Sequence, residues 1–151
     1  MFSQTTEYAL RIAVFLGSVG DEPATIRQIA KATQVPEGYL AKVLKSMSRA
    51  GIVHSQRGPT GGSVLARPAD RITVHDVVQA VDPIRRITTC PLGIKSHGVN
   101  LCPLHRRLDH AIALVEKAFQ ESTIADLLIE PTFSPPMREA LALPPPTRKR
   151  K

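Results

Sequence analysis

Residues 57 to 62 read RGPTGG, three glycines and a proline within six positions. No helix continues through such a stretch, and no packed bundle of helices needs one. Glycine supplies the positive backbone angles of a tight turn, and proline removes a backbone donor. Ile52 and Val53 precede the turn and Val64 and Leu65 follow it, so the segment is expected to form two short strands joined as a hairpin. What surrounds it is helical in pattern. A chain with this punctuation must attach a small β-hairpin to a helical unit.

The helical unit is read from hydrophobic spacing. Residues 4 to 17 carry Tyr8, Ile12, Phe15 and Leu16 on one side, with Ala9, Leu10, Ala13 and Val14 broadening the apolar surface. Gly17 and Gly20 are expected to end this helix. The segment ATIRQIAKATQV suggests a short second helix capped by Thr25, with Ile26, Ile29 and Ala30 inward. PEGYLAKVLKSMSRAG follows as a third, with Pro36 in its first turn. Leu40, Val43, Leu44 and Met47 form its buried stripe, and Gly51 stops it. A tight join around Thr33 to Pro36 makes the pair a helix-turn-helix. After the hairpin, Thr73 caps a fourth helix bearing Val74, Val77 and Val78. The fold class expected is therefore mainly α with a small β-hairpin wing: a winged helix-turn-helix spanning residues 1–82.

Charge points to the partner. The chain has a formal net charge of +7, and the TRKRK ending at position 151 supplies four positive charges. The rest is not evenly spread. From Thr25 to Arg67 lie Arg27, Lys31, Lys42, Lys45, Arg49, Arg57 and Arg67 against the single acid Glu37. These are the elements a winged helix presents to DNA, so double-stranded DNA is the expected partner. No nucleophile–base constellation is present, and the chain is not expected to be an enzyme. No apolar run reaches the roughly 20 residues that span a bilayer, and the N-terminus lacks a basic leader region. Two cysteines cannot staple a scaffold. A cytoplasmic protein with reduced thiols is expected.

Beyond residue 82 the pattern changes. The segment RRLDHAIALVEKAFQESTIADLL repeats Leu108, Ile112, Val115 and Phe119 at helical spacing, extended by Leu104 and Ala111. A small winged-helix domain has little surface for so long a stripe, so residues 106–130 are expected to form a dimerisation helix region, with Ser122 and Thr123 breaking or recapping the helix. Residues 131–151 contain six prolines and the basic ending, and are expected to be a disordered tail. Between the two helical parts, residues 83–105 include CPLGIKSHGVNLCPLH, which holds both cysteines and two of the five histidines.

The stretches TTEYALRIAVFL, YLAKVLKSMSRAGIVHSQRGPTGG and ITVHDVVQAVD resemble the BadM/Rrf-two family of bacterial winged-helix transcription regulators, along residues 1 to about 130. The pattern G-[LI]-V-x-S-x-R-G-x-x-G-G is the most specific element. The resemblance implies a homodimer on a pseudo-palindromic operator. Tyr39, Lys42 and Lys45 would lie on the recognition helix, and Arg57 and Gly58 at the wing tip; Arg49, on the third helix by its own position, is a further DNA-binding candidate. It also implies a sensor in the loop. Cluster-bearing members place three cysteines here at C-x5-C-x5-C, with a histidine following. In this chain Cys90, Cys102 and His105 fall in register, but Ser96 takes the middle cysteine's place. Serine is a poor ligand for soft iron–sulfur centres. His97 is adjacent, and Glu7 matches an acidic residue that completes the cluster from the second subunit in some relatives. A [2Fe–2S] cluster on Cys90, Cys102, His105, His97 and Glu7 as mixed candidate ligands is one reading. A zinc site or a Cys90–Cys102 thiol pair is a second. A cofactor-free regulator, or a metal-binding module for protein contacts, is a third.

Overall fold

The structure is a computed structural model and describes residues 2–56, 58, 61–94 and 100–129. Helix α1 spans Gln4–Val19, and the Ser3 hydroxyl caps it by accepting the Thr6 N–H at 3.2 Å. Of the two glycines expected to end it, the helix passes through Gly17 and stops at Gly20 (φ 70°). The reason lies across the core. A Cβ on Gly17 would meet Ile124 and Leu128 side chains at 3.1 Å, so the glycine lets a later helix lie close.

Helix α2 covers Ile26–Thr33 and opens with a capping box: Gln28 N–H to Thr25 Oγ1 at 3.3 Å, and Thr25 N–H to Gln28 Oε1 at 2.8 Å. Thr25 therefore caps as expected. Ile26 does not face inward; it is 45% exposed. The buried positions are Ile29, Ala32 and Thr33, with Ala30 half-buried. Counted from Ile29, the positions i, i+3 and i+4 select those residues. Gln34 (φ 57°) makes the left-handed turn, and Val35 is buried directly after it.

Helix α3, Glu37–Arg49, buries Leu40, Val43, Leu44 and Met47, the stripe read from spacing. Pro36 sits one position before the first turn, as the cap, where its carbonyl accepts the Tyr39 and Leu40 N–H groups at 2.9 and 3.1 Å. At the other end Gly51 (φ 70°) turns the chain, donating to the Ser48 carbonyl while Ile52 donates to that of Met47. This is a Schellman ending, which requires the left-handed angle glycine tolerates.

The hairpin follows. Strands β1 (Val53–Gln56) and β2 (Gly62–Leu65) pair antiparallel, Val53 opposite Leu65 and Gln56 opposite Gly62. The first strand begins at Val53, one residue later than expected, because Ile52 completes the helix ending. Ala24 pairs with the other edge of β2: it exchanges two backbone hydrogen bonds with Ser63, at 3.0 and 2.8 Å. A Cβ on Gly62 would lie 2.8 Å from the Ala24 carbonyl oxygen, so glycine is required for that approach. A single 3-10 turn, Ala69–Arg71, leads into α4, Val74–Val81. Thr73 and Asp76 form a second capping box, and Val74, Val77 and Val78 are buried.

Helix α5 runs Pro103–Gln120 with Cys102 as its cap position, and a short α6, Ile124–Ile129, follows. Thr123 recaps the chain between them: its N–H donates to Asp126 Oδ2 at 2.8 Å and its Oγ1 accepts the Asp126 N–H at 3.1 Å. The backbone then returns to the domain, through Val74 N–H to Ser122 O and Ile124 N–H to Ile72 O, both at 2.8 Å. Ile124 is wholly buried beside α1. The described chain is thus mainly helical with one two-stranded hairpin, a winged helix-turn-helix whose long helix α5 stands apart. None of the α5 residues is buried, and Leu104, Leu108 and Leu114 are 62%, 48% and 57% exposed.

Candidate nucleic-acid interface and cysteine loop

The outer face of α3 is built by default. Its four inward residues fix the helix rotation, which leaves Lys42, Lys45 and Arg49 on the exposed side at i, i+3, i+7. Among the described residues none of the three enters an ion pair. Tyr39, 38% exposed, stands at the helix start. Its ring meets Tyr8 edge-on with centroids 5.6 Å apart, and its hydroxyl lies 3.2 Å from Thr5 Oγ1. Arg11 of α1 reaches the same corner: its guanidinium lies over the Tyr8 ring, pairs with Glu7 and donates to the Thr33 carbonyl at 3.3 Å. The start of α3 is therefore tied to α1 by aromatic and polar contacts.

A groove separates α3 from the hairpin. Lys45, Ser48 and Arg49 form one wall, and Ser55, Gln56 and Gly62 the other, with Ile26 at its end. Ser55 and Ser63 hydroxyls, 2.9 Å apart, bridge the two strands. Ser48, Gln56 and Ile26 carry no signal of this role in the sequence, since groove-lining residues follow no period. Gly58 is described and exposed, with φ 121°. Arg57 lies outside the described residues. Arg67, beyond the wing, is used within the fold: it pairs with Asp76 at 3.4 Å and donates to the Arg71 carbonyl at 3.1 Å.

In the loop, Cys90 is 9% exposed, and its carbonyl accepts the Gly93 N–H at 3.0 Å in a turn where Gly93 has φ 64°. Cys102 is half-buried at the head of α5, with its sulfur 3.4 Å from His105 Nδ1. Glu7, 59% exposed in its side chain, is held by Arg11 on α1. His97 and Ser96 lie outside the described residues, as do residues 131–151. Among the described residues, no three histidine, cysteine or acidic side chains gather as a metal site. A single copy therefore joins Cys102 to His105 and leaves Glu7 elsewhere.

The loop is held to α5 by contacts that no motif announces. Arg86 Nε and Nη2 donate to Asp109 Oδ1 and Oδ2 at 2.7 and 2.6 Å, a bidentate pair, and the Ile87 N–H donates to Asp109 Oδ1 at 2.9 Å. The Arg86 hydrogen bonds hold the Asp109 carboxyl below the usual carboxylate range, with help from the Ile87 N–H; the same contact raises the Arg86 guanidinium. Seven residues along α5, on the same face, Glu116 lies 3.8 Å from Arg86 Nη1 and 3.4 Å from His75 Nε2 of α4. His75 also contacts Gln79, whose amide donates to the Ile84 carbonyl at 3.3 Å. The spacing of Asp109 and Glu116 puts them two turns apart on one helix face, the sign that could have marked them.

The chain has clear relatives among known proteins. The Rrf2 family model, described as an iron-dependent transcriptional regulator, matches residues 2–130. Protein aau3 of Rhizobium meliloti (strain 1021) is 34% identical over 128 residues, covering 83% of this chain and 83% of that protein. The structure of CymR (YrzC), the global cysteine regulator of B. subtilis, superposes with a TM-score of 0.70 at 27% identity, over 84% of this chain and 95% of that one. IscR of T. potens matches in fold, with a TM-score of 0.71 at 22% identity over 85% of each chain.

Proposed function

We infer the mode of action of this chain from its membership: it belongs to the Rrf2 family of DNA-binding transcriptional regulators. It is a regulator and not an enzyme. The reading that fits its geometry is a homodimer that places α3 in successive major grooves of an operator. The observation carrying it is the unpaired basic face of Lys42, Lys45 and Arg49 beside a groove shared with the hairpin. Tyr39 would contact the backbone or a base edge at the helix start. Arg57 and Gly58 would reach the minor groove, where an arginine suits a narrow A·T tract and a glycine admits the backbone. The exposed leucines of α5 would form the seam with a second copy. Recognition helices must then sit about one helical turn of DNA apart.

The switch we propose is the Cys90–His105 loop. The Cys102–His105 pair is a sulfur–imidazole donor set, suited to a [2Fe–2S] cluster or zinc once further donors join. Those would be Cys90, His97 and Glu7 from the second copy. A cluster bound there would supply a charge and geometry change on oxidation or loss. A second reading is a thiol switch without metal. It is favoured by the contact of the His105 imidazole Nδ1 with the Cys102 sulfur, 3.4 Å apart. In it, Cys90 and Cys102 pass two electrons and two protons to a small-molecule disulfide, which leaves as two thiols, as their own S–S bond forms. A cytoplasmic setting suits reduced thiols, and no described helix is long and apolar enough to cross a membrane.

Gel-shift titration on the chain's own upstream DNA tests the regulator. Replacing Lys42 and Lys45 with alanine is expected to lower the slope of log affinity against log salt by about 1 for each phosphate no longer neutralised. Equal weak binding to all sequences counts against operator recognition. Anaerobic purification with visible absorbance and iron, sulfide and zinc analysis separates the two switch readings. A colourless, metal-free dimer that binds its operator leaves the thiol reading.

A further inference from the structure

The cysteine loop is fastened at two points to the same end of α5. Cys102 is the cap residue of that helix. Ile87, three residues before Cys90, is fastened by its N–H to Asp109. Asp109 follows His105 by four residues, so both lie on one face about 6 Å apart along the axis. The three residues from Ile87 to Cys90 can extend about 10 Å. The fastening thus bounds the distance between Cys90, which is 9% exposed, and the Cys102–His105 pair. Without it, residues from the end of α4 to Cys102 would form one long tether.

We propose that Asp109 is a positioning residue: with Arg86 it clamps the stem of the loop to α5 and so controls the access of reagents, and of Cys102, to the Cys90 thiol. Two donors from Arg86 and one from Ile87 converge on a single carboxylate, which fixes both the side chain and the backbone of the stem. Glu116 steadies the arginine from the next turns of α5 and links it to His75 of α4. The clamp therefore joins the loop stem, the long helix and the winged-helix domain through charged and polar side chains. Its importance for regulation rests on the loop being the switch; its existence does not.

The test is the rate at which each thiol of the full-length, reduced protein is alkylated by iodoacetamide, resolved by peptide mass spectrometry. Thiolate attack forms the S–C bond and expels iodide. Asp109→Ala and Arg86→Gln are expected to speed alkylation of Cys90 about tenfold, the scale on which a charge-assisted bidentate pair shifts a local opening. Cys102 should change less than about twofold, its exposure being set by the helix cap. Asp109→Asn, which keeps an acceptor for the Ile87 N–H, and Arg86→Lys, which keeps the charge, should fall between. Unchanged Cys90 rates in all four variants would overturn the clamp. So would equal acceleration of both thiols with a lowered thermal midpoint, which marks general loosening. If Cys90 behaves as expected but its alkylation leaves operator affinity unchanged, the clamp stands and the switch reading fails.

Discussion

The winged-helix core and helix α5 are held by different mixtures of forces. In the core, Ile12, Phe15, Leu16, Ile29, Leu40 and Met47 are essentially without solvent contact, and capping boxes close the starts of α2 and α4. Helix α5 has no fully buried residue and leaves three leucines in water; it meets its own domain through the Phe2–Phe119 ring contact, half-buried Ile112 and Val115, and the polar contacts of Arg86, Asp109, Glu116 and His75. Apolar burial is non-directional and indifferent to local chemistry. Ion pairs respond to charge, pH and competing ligands. A regulator of this build can therefore change shape in one place more easily than the other. The winged-helix core is closed by burial, while α5 is fastened in part by contacts that chemistry can alter.

Substitutions on either side of this divide should have separable effects. Replacing Leu108 and Leu114 with aspartate should leave the far-ultraviolet circular dichroism intact and dissociate the dimer in sedimentation equilibrium. The loss of association is on the order of 3 kcal/mol or more, because each change occurs twice across a two-fold seam. If the double variant stays dimeric, the exposed stripe is not the seam. Leu40→Ala, in the core, is expected to cost about 3 kcal/mol of folding stability in chemical denaturation. Thr73→Ala, which breaks the α4 capping box, should cost about 1 kcal/mol in thermal or denaturant unfolding and spare association.

The smallest effect is in pH. The Asp109 carboxyl titrates below its ordinary value in the folded chain, chiefly through Arg86. Its contribution to stability is therefore complete above the ordinary carboxylate range. It is lost as pH falls through the lowered folded value. Thermal midpoints of the wild-type chain and Asp109→Asn should differ most near neutral pH and converge in acid. A gap that widens on acidification would mean that the carboxylate does not serve the fold in its charged form.

Legibility of the sequence follows the same divide. The α3 stripe, both threonine caps, the Gly51 stop and the hairpin turn are local: each depends on residues within about a turn of one another. Ile26 faces outward against expectation because two apolar phases, one counted from Ile26 and one from Ile29, both fit a period of 3.6, and packing against α1 and α3 selects the second. The Ala24–Ser63 rung and the passage of α6 over Gly17 depend on backbones far apart in sequence meeting closely, and a glycine among other glycines does not declare which contact it serves. Arg86 and Asp109 are 23 residues apart, across the loop, and charged residues there read as solvated surface. The basic face of α3 is legible because it is what remains once the apolar face is assigned. The donor set of the loop is legible as residue types and not as geometry: Cys102 and His105 meet, Glu7 stays with Arg11, and His97 lies outside the described residues.

The return of the chain after α5 carries a consequence for modularity. Ser122 and Ile124 rejoin the domain at Val74 and Ile72, the start of α4, whereas the excursion leaves from its far end at Val81. An eight-residue helix puts those points about 12 Å apart, a gap that four extended residues span. Everything between, loop and long helix together, is an insert with both ends on one short helix. A change of length or shape in this insert therefore reaches the domain at both ends of α4, through Val81 on one side and Val74 on the other.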